Sequence, residues 1–600
     1  MNLKLPVFAF ITTSILASCG SSSQVKEELF TQHVVFPTGA DLEEKVSIAS
    51  RLVPSDTQLA WQQLELTAFI HYGMNTFTGR EWGDGSEDPK LYNPTNLDTD
   101  QWVRELSDAG FKMVILTAKH HDGFCLWDTK TTEHSVRFSP AWQDGKGDVM
   151  ASLRSSCDKY GMKLGVYLSP WDRNNPSYGT GEAYNKLYLE QLRELLSNYG
   201  RIDEVWFDGA NGEGPNGKKQ IYDWDAVLSL IHKLQPRAVT AIMGTDVRWV
   251  GNERGLGRET EWSATPLAPQ SLHQADSIMA ALGIKPTSAD LGSRDLLAKA
   301  GELFWYPSEV DTSIRPGWFY HPTEKPKTLA TLVNIYFNSV GMNSTLLLNI
   351  PPTPEGRLSD EDVQRIREFG AYVTAFNTSE ITTQRTPYSI DNSLEKPVLT
   401  IDIDPSKPFD AVVLQEDINR GQRIESFDIE ALVGDTWQFF GRGTTVGYKR
   451  IIITDGAPLR ASKIRVTITG RRGDVHNLRV GAFKVPAVIT EDAADEPEGV
   501  PMGKGWEASA ESDNALSVKL STPFRGFIFT PEDGNTVTRY RVMDGKGNLI
   551  QEDEFDNIIN NPIPRTIVFP RPMEGALRIL FLDNAGQSVL VRTSGLSFLK

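Results

Sequence analysis

The stretch LTAFIHYGMNTFTGREWGDG, residues 66–85, opens with an apolar run and then delivers a histidine, a tyrosine, a glutamate and a tryptophan to one loop. A loop that merely joins two elements is expected to carry turn residues and solvated charge. Two further stretches repeat the pattern: FKMVILTAKHHDGFCLWD (111–128) and IDEVWFDGANGEG (202–214). Their apolar residues are continuous rather than alternating, which is the signature of strands buried on both faces, as parallel strands are.

Working outward, similar runs stand at MKLGVYLS (162–169), AVTAIMG (238–244), LFWYPSEV (303–310) and STLLLNI (344–350), with a less defined sixth strand placed within 257–262. Between them TDQWVRELSDAG (99–110), DVMASLRSSCDKYG (148–161), YNKLYLEQLRELLSNYG (184–200), WDAVLSLIHKLQ (224–235) and TLATLVNIYFNSVG (328–341) carry apolar residues at helical spacing. About eight strand–helix units and no GxGxxG after the first strand predict a (β/α)8-like barrel over 58–372, rather than an open doubly wound sheet. The Pro- and Ser-rich stretch 263–302 reads as a long loop with a small helix. Beyond a final helix in GRLSDEDVQRIREFGAYVTAFN (356–377) the pattern becomes short alternating runs separated by turns. Two β-sandwich domains are expected, at 373–486 and 487–600, with ITEDAADEPEGVP (489–501) as linker.

A net charge of −17 with no basic cluster argues against nucleic acid as a partner and suits a neutral or cationic ligand. The start, MNLKLPVFAFITTSILASCGSSS, reads as a signal peptide over 1–18, and LASC resembles a bacterial lipobox. That resemblance implies a lipidated Cys19, a tether and N-terminal segment over 19–57, and export to the periplasm or cell surface with a lipid anchor in the bacterial outer membrane. A plain signal cut nearby is the alternative. Cys125 and Cys157 remain as buried packing thiols, with neither a disulfide scaffold nor a CxxC zinc pair.

In a barrel, the loops after the strands open on one face, and that face carries the chemistry. His71, Glu81 and Trp82 after strand one, Lys119, His120 and His121 after strand two, Tyr167 and Trp171 at strand three, and Trp206 and Asp208 at strand four converge there. Imidazoles that donate to or accept from hydroxyls, beside indole faces that pack on C–H groups, make a pocket for a sugar. His71, His120, His121 and Asp122 are also possible metal ligands, but adjacent histidines on a strand point apart and no HExxH helix accompanies them. Asp208 is a candidate nucleophile, with a helix cap as its alternative. A common glycosidase needs a second carboxyl. TDVRWVGNERGLGRETEWS (245–263), placed after strand five, offers Asp246, Glu253, Glu259 and Glu261, of which Glu253 in its glycine-flanked loop has a modest edge.

Taken together, FIHYGMNTFTGREWG, TAKHHDGFCLWDT, GVYLSPWDRN, VWFDGANG and LLLNIPPTPEGRL resemble an α-L-fucosidase of glycoside hydrolase family 29, over roughly residues 58–370. The resemblance implies a retaining double displacement and no metal or organic cofactor. It implies Asp208 as nucleophile and His71, Glu81, Trp82, His120, His121, Tyr167 and Trp206 as the lining of a fucose pocket. VRWVGNE and SEVDTSIRPGWFYH resemble the subgroup acting on α-1,3/1,4-linked fucose of Lewis-type glycans, which implies Glu253 as acid/base, Trp318 closing the pocket, and Arg248, Glu309 and Asp311 as further contacts. The sandwich after the barrel resembles galactose-binding-like modules. Rival expectations are a catalytically inactive glycan-capture lipoprotein and a retaining glycosidase for another hexose.

Overall fold

The computed structural model describes residues 27–454, 456–487, 499–532, 535–555 and 564–600. Cys19 and most of the 489–501 linker lie outside the described residues. Eight parallel strands form a nearly closed barrel: Leu66–Ile70, Met113–Lys119, Lys163–Leu168, Glu204–Phe207, Val239–Ile242, Arg248–Trp249, Ser308–Ser313 and Thr345–Asn349, numbered one to eight below. Pairing runs unbroken from strand five back to strand one, then on through eight and seven to six. Five and six meet only through a single bridge, Ala241 to Val247.

The continuous apolar runs behave as their pattern requires. One face of the strands packs on the surrounding helices through residues such as Ile70, Val114, Leu116 and Val166. The other fills the barrel with Phe69, Met113, Ile115, Tyr167, Trp206 and Leu347. Gly165 on strand three leaves room for Ile115, since an added Cβ would stand 2.8 Å from it. Side-chain caps start several of the helices: Asp98, Asp148, Asp223, Thr328 and Ser359 each accept a backbone N–H of the first turn. Gly161, at φ 69°, ends the helix Val149–Tyr160 in the left-handed conformation that glycine adopts without penalty.

Two expectations about strands differ from the structure. The sixth strand is Arg248–Trp249, not a segment of 257–262, so the loop carrying Glu253 follows strand six rather than five. LFWYPSEV holds two strands. Glu302–Trp305 leaves the barrel and pairs antiparallel with His33–Val35 and Ala264–Thr265, while Ser308–Ser313 is strand seven. Pro307 stands between them, without the N–H that a continuous ladder would need.

After the helix Asp360–Thr378, four antiparallel strands face three across a shared core that includes Phe409, Phe427, Ile464 and Val480. This sandwich is docked on the barrel by stacking of Phe376 on Phe483 and by the Gln422 side chain, which accepts the Ser263 N–H at 2.8 Å. A further antiparallel sheet follows. Its long strands Leu516–Phe529 and Arg565–Leu582 shift register midway, and residues of both halves enclose one core around Phe527 and Phe598.

Candidate active site

At the carboxyl ends of the barrel strands a cavity of about 250 Å³ is lined by His71, Glu81, Trp82, His120, His121, Trp206, Asp208, Glu253, Asp311 and Trp318. The structure thus brings together side chains from the loops after strands one, two, four, six and seven. Asp208 follows strand four directly. Its Oδ1 accepts the Ala210 N–H at 2.7 Å and its Oδ2 accepts the Tyr167 hydroxyl at 3.3 Å, with His121 Nε2 at 3.7 Å. Ala210 begins no helix; the segment to residue 223 is loop, so the carboxylate closes a local turn and leaves its outer edge to the cavity.

Glu253 hangs in the loop after strand six. It is open to solvent on one side, yet the protein around it pushes its carboxyl above the ordinary range, with the nearby Asp208 charge adding and hydrogen bonding from Trp318 opposing. Glu253 is thus biased toward the protonated form, the state a proton donor must hold. Of the other acidic candidates, Asp246 accepts the Thr240 N–H and hydroxyl, and Glu261 is buried against Arg248 and Arg258. Glu259 lies exposed, its carbonyl turned to Thr444 and Arg450 of the first sandwich.

Two of the imidazoles, His71 and His120, are held neutral by burial. His71 Nδ1 faces Asn349 Oδ1 at 2.9 Å, and Asn349 Nδ2 donates to the Trp318 carbonyl, so Nδ1 carries the proton and Nε2 is left as an acceptor. Burial pushes His71 down to about 3 and His120 well below its ordinary value. His121 Nδ1 meets Ser169 Oγ at 2.8 Å. The Glu81 carboxyl accepts the N–H groups of Trp318 and Phe319 at 2.8 and 3.1 Å, tying the loop after strand seven to that after strand one, and burial pushes it up to about 8. Trp82 stands edge-on to His121 and Trp171, and Trp318 tilts over His71 at 5.0 Å.

The remaining expected contacts occupy different depths. Asp311 lines the cavity and accepts the Trp249 indole N–H at 2.7 Å. Glu309, two residues earlier on strand seven, sits one layer deeper and accepts the Trp206 indole N–H at 2.7 Å. Tyr167 stacks on Trp206 and reaches the site through its hydroxyl. Arg248 borders an adjoining cavity, but its guanidinium is engaged by Glu261 and the Tyr306 carbonyl. Lys119 is fully buried behind the site, paired with Asp172 at 3.2 Å. Asn349, Trp249 and Ile242 also belong to the site or its margin, and of these only Asn349, near the end of the eighth apolar run, carries a signal in the sequence.

A family model for alpha-L-fucosidase matches residues 71–378. Alpha-L-fucosidase 1 of Arabidopsis thaliana is 40% identical over 433 residues, spanning 67% of this chain and 81% of the plant protein. A solved Bacteroides ovatus structure, provisionally named an alpha-L-fucosidase, is 47% identical, covers 96% of this chain and 100% of its own, and superposes with a TM-score of 0.75. A Ruminococcus gnavus family 29 fucosidase in complex with fucose is 31% identical over 72% of this chain and 95% of its own, with a TM-score of 0.63.

Proposed function

This chain belongs to the alpha-L-fucosidase family of glycoside hydrolases, and we propose that it is a retaining exo-enzyme releasing terminal α-1,3/1,4-linked L-fucose from Lewis-type glycans. The observation that carries the mechanism is the meeting of Asp208 and Glu253, from the loops after strands four and six, in one cavity walled by imidazoles and indoles. Asp208 attacks the anomeric carbon while Glu253 protonates the departing oxygen, giving a fucosyl ester. Glu253, now a carboxylate, takes a proton from water, which opens the ester and releases fucose with its configuration kept.

The other residues position and discriminate. His71 Nε2 accepts from a sugar hydroxyl, and the neutral state forced by burial keeps it an acceptor. Trp318 covers the ring, and Glu81 holds Trp318 in place through its backbone. Export and anchoring through a lipidated Cys19 are part of the same reading, since a surface or periplasmic enzyme meets glycans from outside the cell.

The test is fucose release from α-1,2, α-1,3, α-1,4 and α-1,6 fucosides by the intact protein and by Asp208→Ala. Release confined to the α-1,3 and α-1,4 substrates, lost in the variant, is expected. Near-normal turnover by Asp208→Ala removes the nucleophile assignment; equal release from all four linkages removes the linkage preference.

A further inference from the structure

The loop that carries Glu253 is closed at its base by a buried ion cluster. Val250 donates to the Glu309 carbonyl at 2.9 Å as the chain leaves strand six, and Gly257 donates to the Asn338 carbonyl at 2.6 Å as it returns. Gly251 and Gly255, at φ 104° and 78°, turn the chain between these points. Across the base, the Glu261 carboxylate meets the guanidinium of Arg248, on strand six, and that of Arg258 at 3.1 Å. Glu261 and Arg248 are 1% and 2% exposed, so water cannot replace either partner if the pair is pulled apart. The position of Glu261 is therefore passed to strand six and to the start of the loop.

The backbone of Glu261 is held chiefly by the first sandwich. Residues 258–263 form no ladder with a barrel strand among the described residues, and their polar groups find partners elsewhere. The fully buried Gln422 side-chain amide donates to the Glu261 carbonyl at 2.9 Å and accepts the Ser263 N–H at 2.8 Å, as a neighbouring strand would. Thr445 Oγ1 accepts the Glu261 N–H at 3.1 Å, and Arg450 donates to the Glu259 carbonyl at 2.6 Å. The Arg472 guanidinium lies 3.6 Å over the Trp262 ring and is itself held by Glu425 at 2.9 Å. The barrel adds Asn343, which donates to the Glu261 carbonyl at 3.2 Å.

An interface that only joined two domains would not need this arrangement. The helix Asp360–Thr378 already docks the sandwich through Phe376 on Phe483 and through the Tyr372 hydroxyl, which donates to the Pro486 carbonyl at 3.0 Å. The contacts at 259–263 converge instead on the one residue whose carboxylate closes the proton donor's loop. That donor must stand within hydrogen-bond reach of the departing oxygen, and a loop loose at its base would blur the distance.

We propose that the first sandwich positions the proton donor, with Gln422 and Thr445 as positioning residues that fix Glu253 through Glu261 and Arg248; the inference rests on the fucosidase reading and on Glu253 as the acid. The experiment measures kcat/KM on α-L-fucosyl fluoride, whose leaving group needs little help from a proton, and on whichever of the α-1,2, α-1,3, α-1,4 and α-1,6 fucosides the intact protein cleaves fastest. In Gln422→Ala, and in Thr445→Val, which keeps the branched shape, the value on the glycan is expected to fall by about tenfold or more, and that on the fluoride to stay within about twofold. Tyr372→Phe, which loosens the same interface away from Glu261, should leave the ratio of the two values unchanged. Thermal unfolding confirms that each variant is folded, and Thr445→Val decides alone should Gln422→Ala not fold. A ratio unchanged in the folded variants, or one that shifts equally in Tyr372→Phe, overturns this proposal alone. If Glu253→Ala itself loses no more on the glycan than on the fluoride, the acid assignment falls and this inference with it; no turnover of either substrate overturns the fucosidase reading.

Discussion

Glu309 reaches no substrate, yet its removal should slow the reaction through Trp206. The indole N–H lies 2.7 Å from Glu309 Oε1 in a fully buried setting. Trp206 borders both cavities and stacks on Tyr167 at 5.0 Å, and Tyr167 donates to Asp208. Glu309→Ala leaves the indole donor without an acceptor, costing about 1–3 kcal/mol. The same change removes a buried acid whose carboxyl is held well above its ordinary range by burial and by Glu204, so the two effects oppose and net stability falls little. Activity has no such offset. A drift of about 1 Å in Trp206 and Tyr167 relative to Asp208 lowers kcat by roughly 100-fold, with KM changing less. Glu309→Gln keeps an acceptor for Trp206 and supplies a donor for Glu204, and should stay within about threefold of the intact enzyme. Steady-state kinetics on an aryl fucoside, with thermal unfolding as a check on folding, measure both. A folded Ala variant within about twofold of the parent, or a Gln variant as slow as Ala, refutes the positioning argument.

Other outcomes follow from the same geometry. Glu253→Ala should lose most activity on substrates with poor leaving groups, which need the proton donor, while with an aryl fucoside that needs none azide should restore turnover by opening the fucosyl ester in place of water; uniform loss without rescue would point to another acid. Thermal stability should peak between about pH 4.5 and 6.5. Burial lowers His71 to about 3 and His134 to about 4, so stability complete above 6.5 is lost as pH falls toward those values. Burial raises Glu81 and Glu204 to about 8, so stability complete below 4.5 is lost as pH rises toward 8. A melting temperature still rising from pH 6.5 to 8 would contradict this. Arg315→Ala breaks a buried ion pair with Asp362, at 2.9 Å, that ties the loop after strand seven to the helix Asp360–Thr378. A loss of about 3–5 kcal/mol in denaturant unfolding is expected, and a loss below about 1 would place that pair among the weak surface bridges.

The barrel was legible in the sequence wherever a strand is long and apolar on both faces, as in LTAFI and MVILTAK. Strand six escaped because it is only Arg248 and Trp249, too short for any periodicity to register. The run 303–310 joins two strands because Phe304 and Trp305 are apolar for another reason: they belong to the sheet made with His33–Val35 and pack into the small cores on its two faces. Within the site, the residues ending the apolar runs all face the cavity or support it. Depth was not legible. Glu309 and Asp311 share one face of strand seven, and only the position of the Trp206 ring decides that one lies beneath and the other beside the substrate space. Arg248 is expected as a contact from the family resemblance alone; nothing local in the sequence reveals that Glu261, thirteen positions later, folds back onto its guanidinium.

The two reacting carboxyls are mounted very differently. The strand before Asp208 is laced on both sides, by three residue pairs to strand three and four to strand five. The strand before Glu253 is gripped on one flank by two pairs, Ser308 with Arg248 and Glu309 with Trp249, and its other flank lies along the seam where the cylinder nearly parts. Lengthening or shortening the turn that follows Trp249 would move the proton donor without unlacing the rest of the wall, whereas the same edit beside Asp208 would tear the weave. The architecture thus keeps the attacking group as a fixed post and lets the donor be re-hung, so new leaving groups can be accommodated by edits at the seam alone.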